Sequence, residues 1–164
     1  MNIDTSIFKA YDIRGVYPDN LNEELAEEIG RAYATIIRKE NPGKKLNIVV
    51  GSDMRLSSPP LKSSLIKGLI KSGINVIDVG LVTTPTFYFS VGYYGYDGGI
   101  QVSASHNPKQ FNGFKIVKEK AYPMGGDTGI YAIRDMIIDN KFEKLNLQGE
   151  LISKEGVVKD AVTV

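Results

Sequence analysis

At 164 residues the chain can bury a core of its own and has room for one or at most two domains. Its 20 Lys and Arg against 19 Asp and Glu leave a net charge of +1, which points away from nucleic acid and membrane partners. The absence of cysteine excludes a disulfide framework and thiolate metal sites.

The opening Met-Asn-Ile-Asp-Thr-Ser lacks the charged and apolar regions of a signal peptide. No apolar run is long enough to span a bilayer, so a soluble, cytoplasmic protein is expected. Past an opening loop, Leu21 to Lys39 carries Leu25, Ile29, Ala32, Ile36 and Ile37 at three- and four-residue steps. That spacing predicts a helix, with Asn20 or Asn22 as its N-cap and Asn41-Pro42-Gly43 as its stop. Leu46 to Val50 is a nearly uniform apolar run, the mark of a strand buried on both faces, and it delivers Gly51-Ser52-Asp53 to a loop. Pro60 to Ser72 is a second helix, ended by Gly73, and Ile74 to Val79 a second buried strand. Pro85 to Tyr93 predicts a short aromatic helix, Gly99 to Ser103 a third strand, Gly113 to Val117 a fourth and Gly129 to Asn140 a last helix.

Strands alternating with helices predict an α/β fold, a three-layer α/β/α sandwich on a mostly parallel sheet. The last two strands, joined by a short connection, should form an antiparallel pair at one edge. Ligands of such sheets sit beyond the carboxyl ends of the strands. Gly51–Asp53, Thr83–Thr84 and Ser103–Asn107 all follow strands. Gly125-Gly126-Asp127-Thr128-Gly129 lacks the Lys-Ser/Thr of a P-loop and reads as a flexible lead into a helix. Tyr93-Tyr94-Gly95-Tyr96 reads as core and rim in preference to a sugar platform. The C-terminal residues look like a cut through a connection, giving a domain over residues 1–150 and the start of a link to a second domain over 151–164.

The chemistry concentrates in Ser103-Ala104-Ser105-His106-Asn107-Pro108, where the alternation of Ile100 and Val102 breaks. Asn112-Gly113 is a turn signal, after which Phe114 and Ile116 resume a strand. Ser105 is thereby left exposed at a strand tip, beside the only histidine. An acyl-transfer role is disfavoured: adjacent residues of an extended chain point apart, and there is no Gly-x-Ser-x-Gly elbow. The bland alternative is a polar turn satisfied by its own backbone. Charge favours a phosphoryl group instead. Lys109, Lys115 and Lys118 surround the serine in sequence, and no acidic residue lies between Gly98 and Lys118.

Ser103–Pro108 followed by Asn112-Gly113-Phe114-Lys115 resembles the phosphoserine signature of the α-D-phosphohexomutases, a family that includes phosphomannomutase and phosphoglucomutase. Phe8-Lys9-Ala10-Tyr11-Asp12-Ile13-Arg14-Gly15 resembles the family's opening motif, in the form of its phosphomannomutase/phosphoglucomutase branch. Gly51-Ser52-Asp53-Met54-Arg55-Leu56-Ser57, then Asp78-Val79-Gly80 and Thr83-Thr84-Pro85, resemble the landmarks that follow, in the same order.

The resemblance covers the first of the family's four domains. It implies an intramolecular phosphotransferase that interconverts hexose 1-phosphate and hexose 6-phosphate through phosphorylated Ser105 and a hexose 1,6-bisphosphate intermediate, which also serves as activator. By position in the motif, Lys115 is the candidate proton shuttle and charge stabiliser, and Tyr11, Arg14, His106 and Asn107 position substrate or phosphate. Arg55 is expected to stabilise the fold around Asp53, outside the site. Magnesium would meet the phosphate on Ser105 and carboxylates of a loop absent from this chain, so the partners implied are a hexose phosphate and the remaining domains of the same polypeptide. The domain by itself is expected to be inactive. The alternative is a stand-alone phosphoacceptor or phosphosugar-binding module without mutase turnover.

Overall fold

The computed structural model describes residues 2–143, 145 and 147–163. In chain order the elements are β1 (Ile13–Val16), α1 (Glu23–Glu40), β2 (Asn47–Ser52), α2 (Ser58–Lys71), β3 (Asn75–Leu81), α3 (Thr84–Tyr93), β4 (Gly98–Val102), β5 (Phe111–Lys118), α4 (Tyr131–Asp139), β6 (Leu151–Ser153) and α5 (Val157–Thr163). The strands form one sheet in the order β1-β5-β4-β2-β3-β6. β2 lies between β3 and β4 and is parallel to both, and β6 adds in parallel to β3. β5 is antiparallel to β4, and β1 antiparallel to β5.

The uniform apolar run of β2 is explained by its two buried faces. Ile48 and Val50 join a core with Tyr33 of α1, Leu65 of α2 and Ile133 of α4, while Val49 faces Phe87 and Val91 of α3. Each Leu, Ile or Phe fully withdrawn from water in this way contributes roughly 1.5–3 kcal/mol. α1 starts where Asn22 Oδ1 accepts the Leu25 N–H at 3.0 Å. Glu23 and Glu24 in its first turn and Arg38 and Lys39 in its last suit the helix dipole. Of the two candidate caps, Asn22 holds the helix, and Asn20 instead accepts from the Val16 N–H at 2.6 Å.

The α/β/α sandwich is as the alternation of elements predicts, with two local corrections. The opening loop contains β1, so the outer strand is β1 and β5 lies inside it. A four-residue segment containing Arg and Gly carries too weak a pattern to announce itself; its strand pairing is with β5, some hundred positions away. Asn112-Gly113 is likewise no turn: both residues sit within β5 and are buried. Asn112 donates its side-chain amide to Ser57 Oγ at 2.8 Å and Ser58 Oγ at 3.0 Å. Gly113 is needed because a Cβ there would run into the Ile13 carbonyl of β1.

Residues 151–163 add β6 to the sheet and α5 to the layer of α3. The Tyr94 hydroxyl donates to Asp160 at 2.5 Å, and the Lys154 ammonium lies 4.4 Å from the centre of the Tyr94 ring. The tyrosine cluster thus ties the C-terminal segment down, with Tyr93 stacked on Phe89 at its rim.

Candidate functional site

β2 and β4 end side by side, with Ser52 opposite Val102, so the loops that follow them meet beyond the carboxyl edge of the sheet. Asp53 begins one loop, and its N–H donates to the Val102 carbonyl at 3.0 Å. The other loop carries the serine. Ser103 donates its N–H to the Gly113 carbonyl at 2.9 Å, and its Oγ accepts the Ser105 N–H at 3.0 Å. Asn107 closes a turn onto the Ala104 carbonyl, with its N–H at 3.1 Å and its side-chain amide at 2.6 Å. Ser105 between them has φ of 55°, a left-handed backbone that costs a non-glycine residue on the order of 1–2 kcal/mol. Ser105 and His106 are exposed and Asn107 half-buried.

Two clefts flank this turn, and Asn107 lines both. One, of about 200 Å³, is also lined by Ser6, Lys9, Arg14 and Asn20. The other, an open depression of about 450 Å³, is lined by Asp53, Met54, Arg55 and Lys109. β1 brings Arg14 to the site by pairing it with Gly113 of β5. Lys115 lies two residues further along β5, opposite Gln101 of β4. Asp12 connects the two cations: its carboxylate faces Arg14 Nε at 3.1 Å and Lys115 Nζ at 3.5 Å. Asp12 is buried, and Arg14 and Lys115 are partly exposed. Burial first, and the Asp12 carboxylate second, push the Tyr88 phenol above the ordinary tyrosine range.

The structure therefore brings Arg14 and Asn107 to one cleft and Arg14 and Lys115 to one carboxylate. Tyr11 stands apart, 86% exposed on the turn closed by the Lys9 N–H and the Asp12 carbonyl. The ring of lysines inferred from the sequence loses one member. Lys118 sits at the far end of β5, opposite Gly98, and pairs with Glu40 at 2.9 Å. Proximity in sequence misleads here because a strand carries its two ends apart.

Two residues near the serine turn do more than the sequence indicates: it gives Asp12 no role of its own and assigns Arg55 only to the fold around Asp53. Asp12 lies inside the opening motif, but its role depends on a contact to Lys115 across 103 positions. Arg55 does pair with Asp53, Nε to Oδ2 at 3.3 Å, yet it also donates to carbonyls of the serine loop, Ser105 among them at 2.9 Å. The guanidinium therefore holds the serine loop as well as Asp53. The sequence signal for it is the Asp-x-Arg within the Gly51–Ser57 segment, directly after a buried strand that ends at the carboxyl edge.

A magnesium ion needs several oxygen ligands converging on one point. Among the described residues no group of three or more His, Asp or Glu side chains could hold a metal ion. Those side chains do not form a magnesium site by themselves.

Residues 5–144 match the family described as phosphoglucomutase/phosphomannomutase, alpha/beta/alpha domain I. A phosphomannomutase of Vibrio cholerae serotype O1 is 46% identical over 142 residues, which cover 87% of this chain and 30% of that protein. A phosphomannomutase of Klebsiella pneumoniae is 48% identical over 135 residues, 82% of either chain. The fold superposes with a TM-score of 0.86 on a phosphoglucomutase/phosphomannomutase family protein from Burkholderia thailandensis, at 36% identity, over 97% of this chain and 35% of that one. The chain thus spans about 30% of the length of the Vibrio relative. Among the described residues no helix is long and apolar enough to cross a membrane.

Proposed function

The chain belongs to the phosphoglucomutase/phosphomannomutase family as its α/β/α domain I, and from that premise we propose that it is the phosphoserine domain of a hexose-phosphate mutase. Ser105 is the group that carries the phosphoryl. The observation that supports this most is its setting: an exposed hydroxyl on a left-handed turn at the carboxyl edge of the sheet, next to a cleft lined by Arg14 and Asn107. A guanidinium and an amide are donors suited to phosphate oxygens. Little covalent chemistry is asked of the protein in phosphoryl transfer; positioning and charge neutralisation are the main demands.

In the proposed cycle the P–O bond to Ser105 Oγ breaks as a sugar hydroxyl forms a new one. The hydroxyl proton leaves, and Ser105 Oγ gains a proton. The resulting hexose 1,6-bisphosphate turns over, and its other phosphoryl group returns to Ser105 by the reverse exchange. Lys115 presents a cation beside the site, and its pairing with Asp12 supports the charge-stabilising part of its assignment. Arg14, His106 and Asn107 orient the phosphoryl group, and Tyr11, on its exposed turn, is available to a substrate approaching from solvent. Magnesium, when bound, would neutralise phosphate charge, held by the phosphate on Ser105 and by carboxylates from outside this domain. The hexose phosphate and the further domains that share the polypeptide complete the reading.

Ser105→Ala in the protein that carries this domain should abolish phosphate incorporation from a labelled hexose 1,6-bisphosphate, with the fold intact by circular dichroism. Label retained on the mutant protein would refute the assignment.

A further inference from the structure

We propose that Arg55 is the positioning residue that sets the backbone on which Ser105 is presented. This rests on Ser105 being the reacting group. The guanidinium has five N–H donors in a rigid planar fork. Nε faces Asp53 Oδ2 at 3.3 Å. Nη1 donates to the carbonyls of Pro108 at 2.7 Å and Phe111 at 3.1 Å. Nη2 donates to those of Ser105 at 2.9 Å and Asn107 at 2.7 Å. Four of the five donor directions therefore end on the main chain of one loop, some fifty positions away in sequence.

The loop needs such a partner. Its own backbone bonds from Ala104 to Phe111 are the turn from Asn107 to Ala104 and the bond from Phe111 to Pro108. Carbonyl oxygens that point at one spot repel one another unless a donor sits between them. The Arg55 side chain is only 15% exposed; its bonds to Phe111 and Asn107 are part-buried and those to Ser105 and Pro108 lie at the surface, and each is charge-assisted and so stronger than a neutral hydrogen bond. Because Nη2 holds the Ser105 carbonyl, rotation of Ser105 out of its left-handed conformation would break that bond. Strain on a reacting residue persists when the surroundings over-determine it. The clamp is itself anchored: Asp53 Oδ1 accepts from Ser58 Oγ at 2.7 Å and from the Arg55 N–H at 3.1 Å. A lysine would keep the charge but could not reach four carbonyls from a single nitrogen.

The test compares this chain with its Arg55→Lys and Arg55→Ala forms by NMR, reading carbon shifts of Ser105 to Asn107 and amide exchange at Asn107 and Phe111. Both variants should lose the left-handed shift signature of Ser105 and the protection of those two amides, while the amides of β2 and β4 keep theirs. Guanidinium ion added to Arg55→Ala should restore part of the signature. In the protein carrying the domain, Arg55→Lys should lower kcat about 100-fold with little change in KM, as expected when a reacting atom is displaced by about 1 Å. Unchanged loop signals in Arg55→Ala would overturn the inference, as would loss of the loop only together with β2 and β4, or an effect on KM alone. Should Arg55→Ala fail to fold, Arg55→Lys decides on the same readings. The NMR result is independent of phosphoryl transfer. A loop that depends on Arg55 around a Ser105 that never takes phosphate would sink the proposed function and leave the clamp standing.

Discussion

Asp12 holds two cations on one buried carboxylate, and its removal should be felt at both. Asp12→Asn keeps the size of the side chain but leaves Arg14 and Lys115 facing each other without a counter-charge. Breaking a fully buried pair is costly, but Arg14 and Lys115 are 38% and 25% exposed, and water screens what remains. The expected loss is therefore about 1–2 kcal/mol in urea unfolding. Adding Lys115→Met should recover part of it, and strict additivity of the two changes would show that the pair is not coupled. At this scale the legible residues were those that break a pattern: Ser105 to Pro108 interrupt an alternating strand, so the turn stands out. Asp12 and Arg55 were obscure because their contacts cross 103 and 50 positions, and because Arg55 acts on backbone carbonyls, which have no sequence of their own.

The elements that cover the sheet differ in how firmly they are held. α5 is fastened to α3 through Val157, which joins Phe87 and Val91, and through the Tyr94 to Asp160 hydrogen bond. Burial, and then the bond to Asp160, push the Tyr94 phenol up to about 12 from an ordinary value of 10.0. A value raised by folding means stability that is fully present below pH 10.0 and disappears as the pH climbs through about 12. α5 should therefore lose amide protection between these limits before the central strands do. In Tyr94→Phe the protection of α5 should no longer change over that pH window, and an unaltered pH profile would contradict the assignment. Legibility at this scale follows burial. β2, β3 and the helices of the main core carry apolar runs or 3.6-residue periods that announce them. β1 and β6 have four and three residues and take their hydrogen bonds from partners distant in sequence, so local pattern is silent about them.

For the whole molecule, the α/β/α architecture and the family could both be read from the order of elements and motifs. The geometry that prepares Ser105 could not, because it arises where the ends of β2 and β4 and the outer strand β1 converge. The chain presents the Ser105 turn at the carboxyl edge of its sheet and spans about 30% of the Vibrio phosphomannomutase, whose remaining length lies outside the match. On the proposed function, what the chain contributes is an exposed serine on a turn beside a cleft lined by Arg14 and Asn107. The most direct measurement is phosphopeptide mapping by tandem mass spectrometry of the protein that carries this chain, after equilibration with hexose 1,6-bisphosphate and a divalent cation. One phosphate on Ser105, exchangeable with added bisphosphate, is the predicted result. A bare Ser105, or phosphate found on another residue instead, would contradict it.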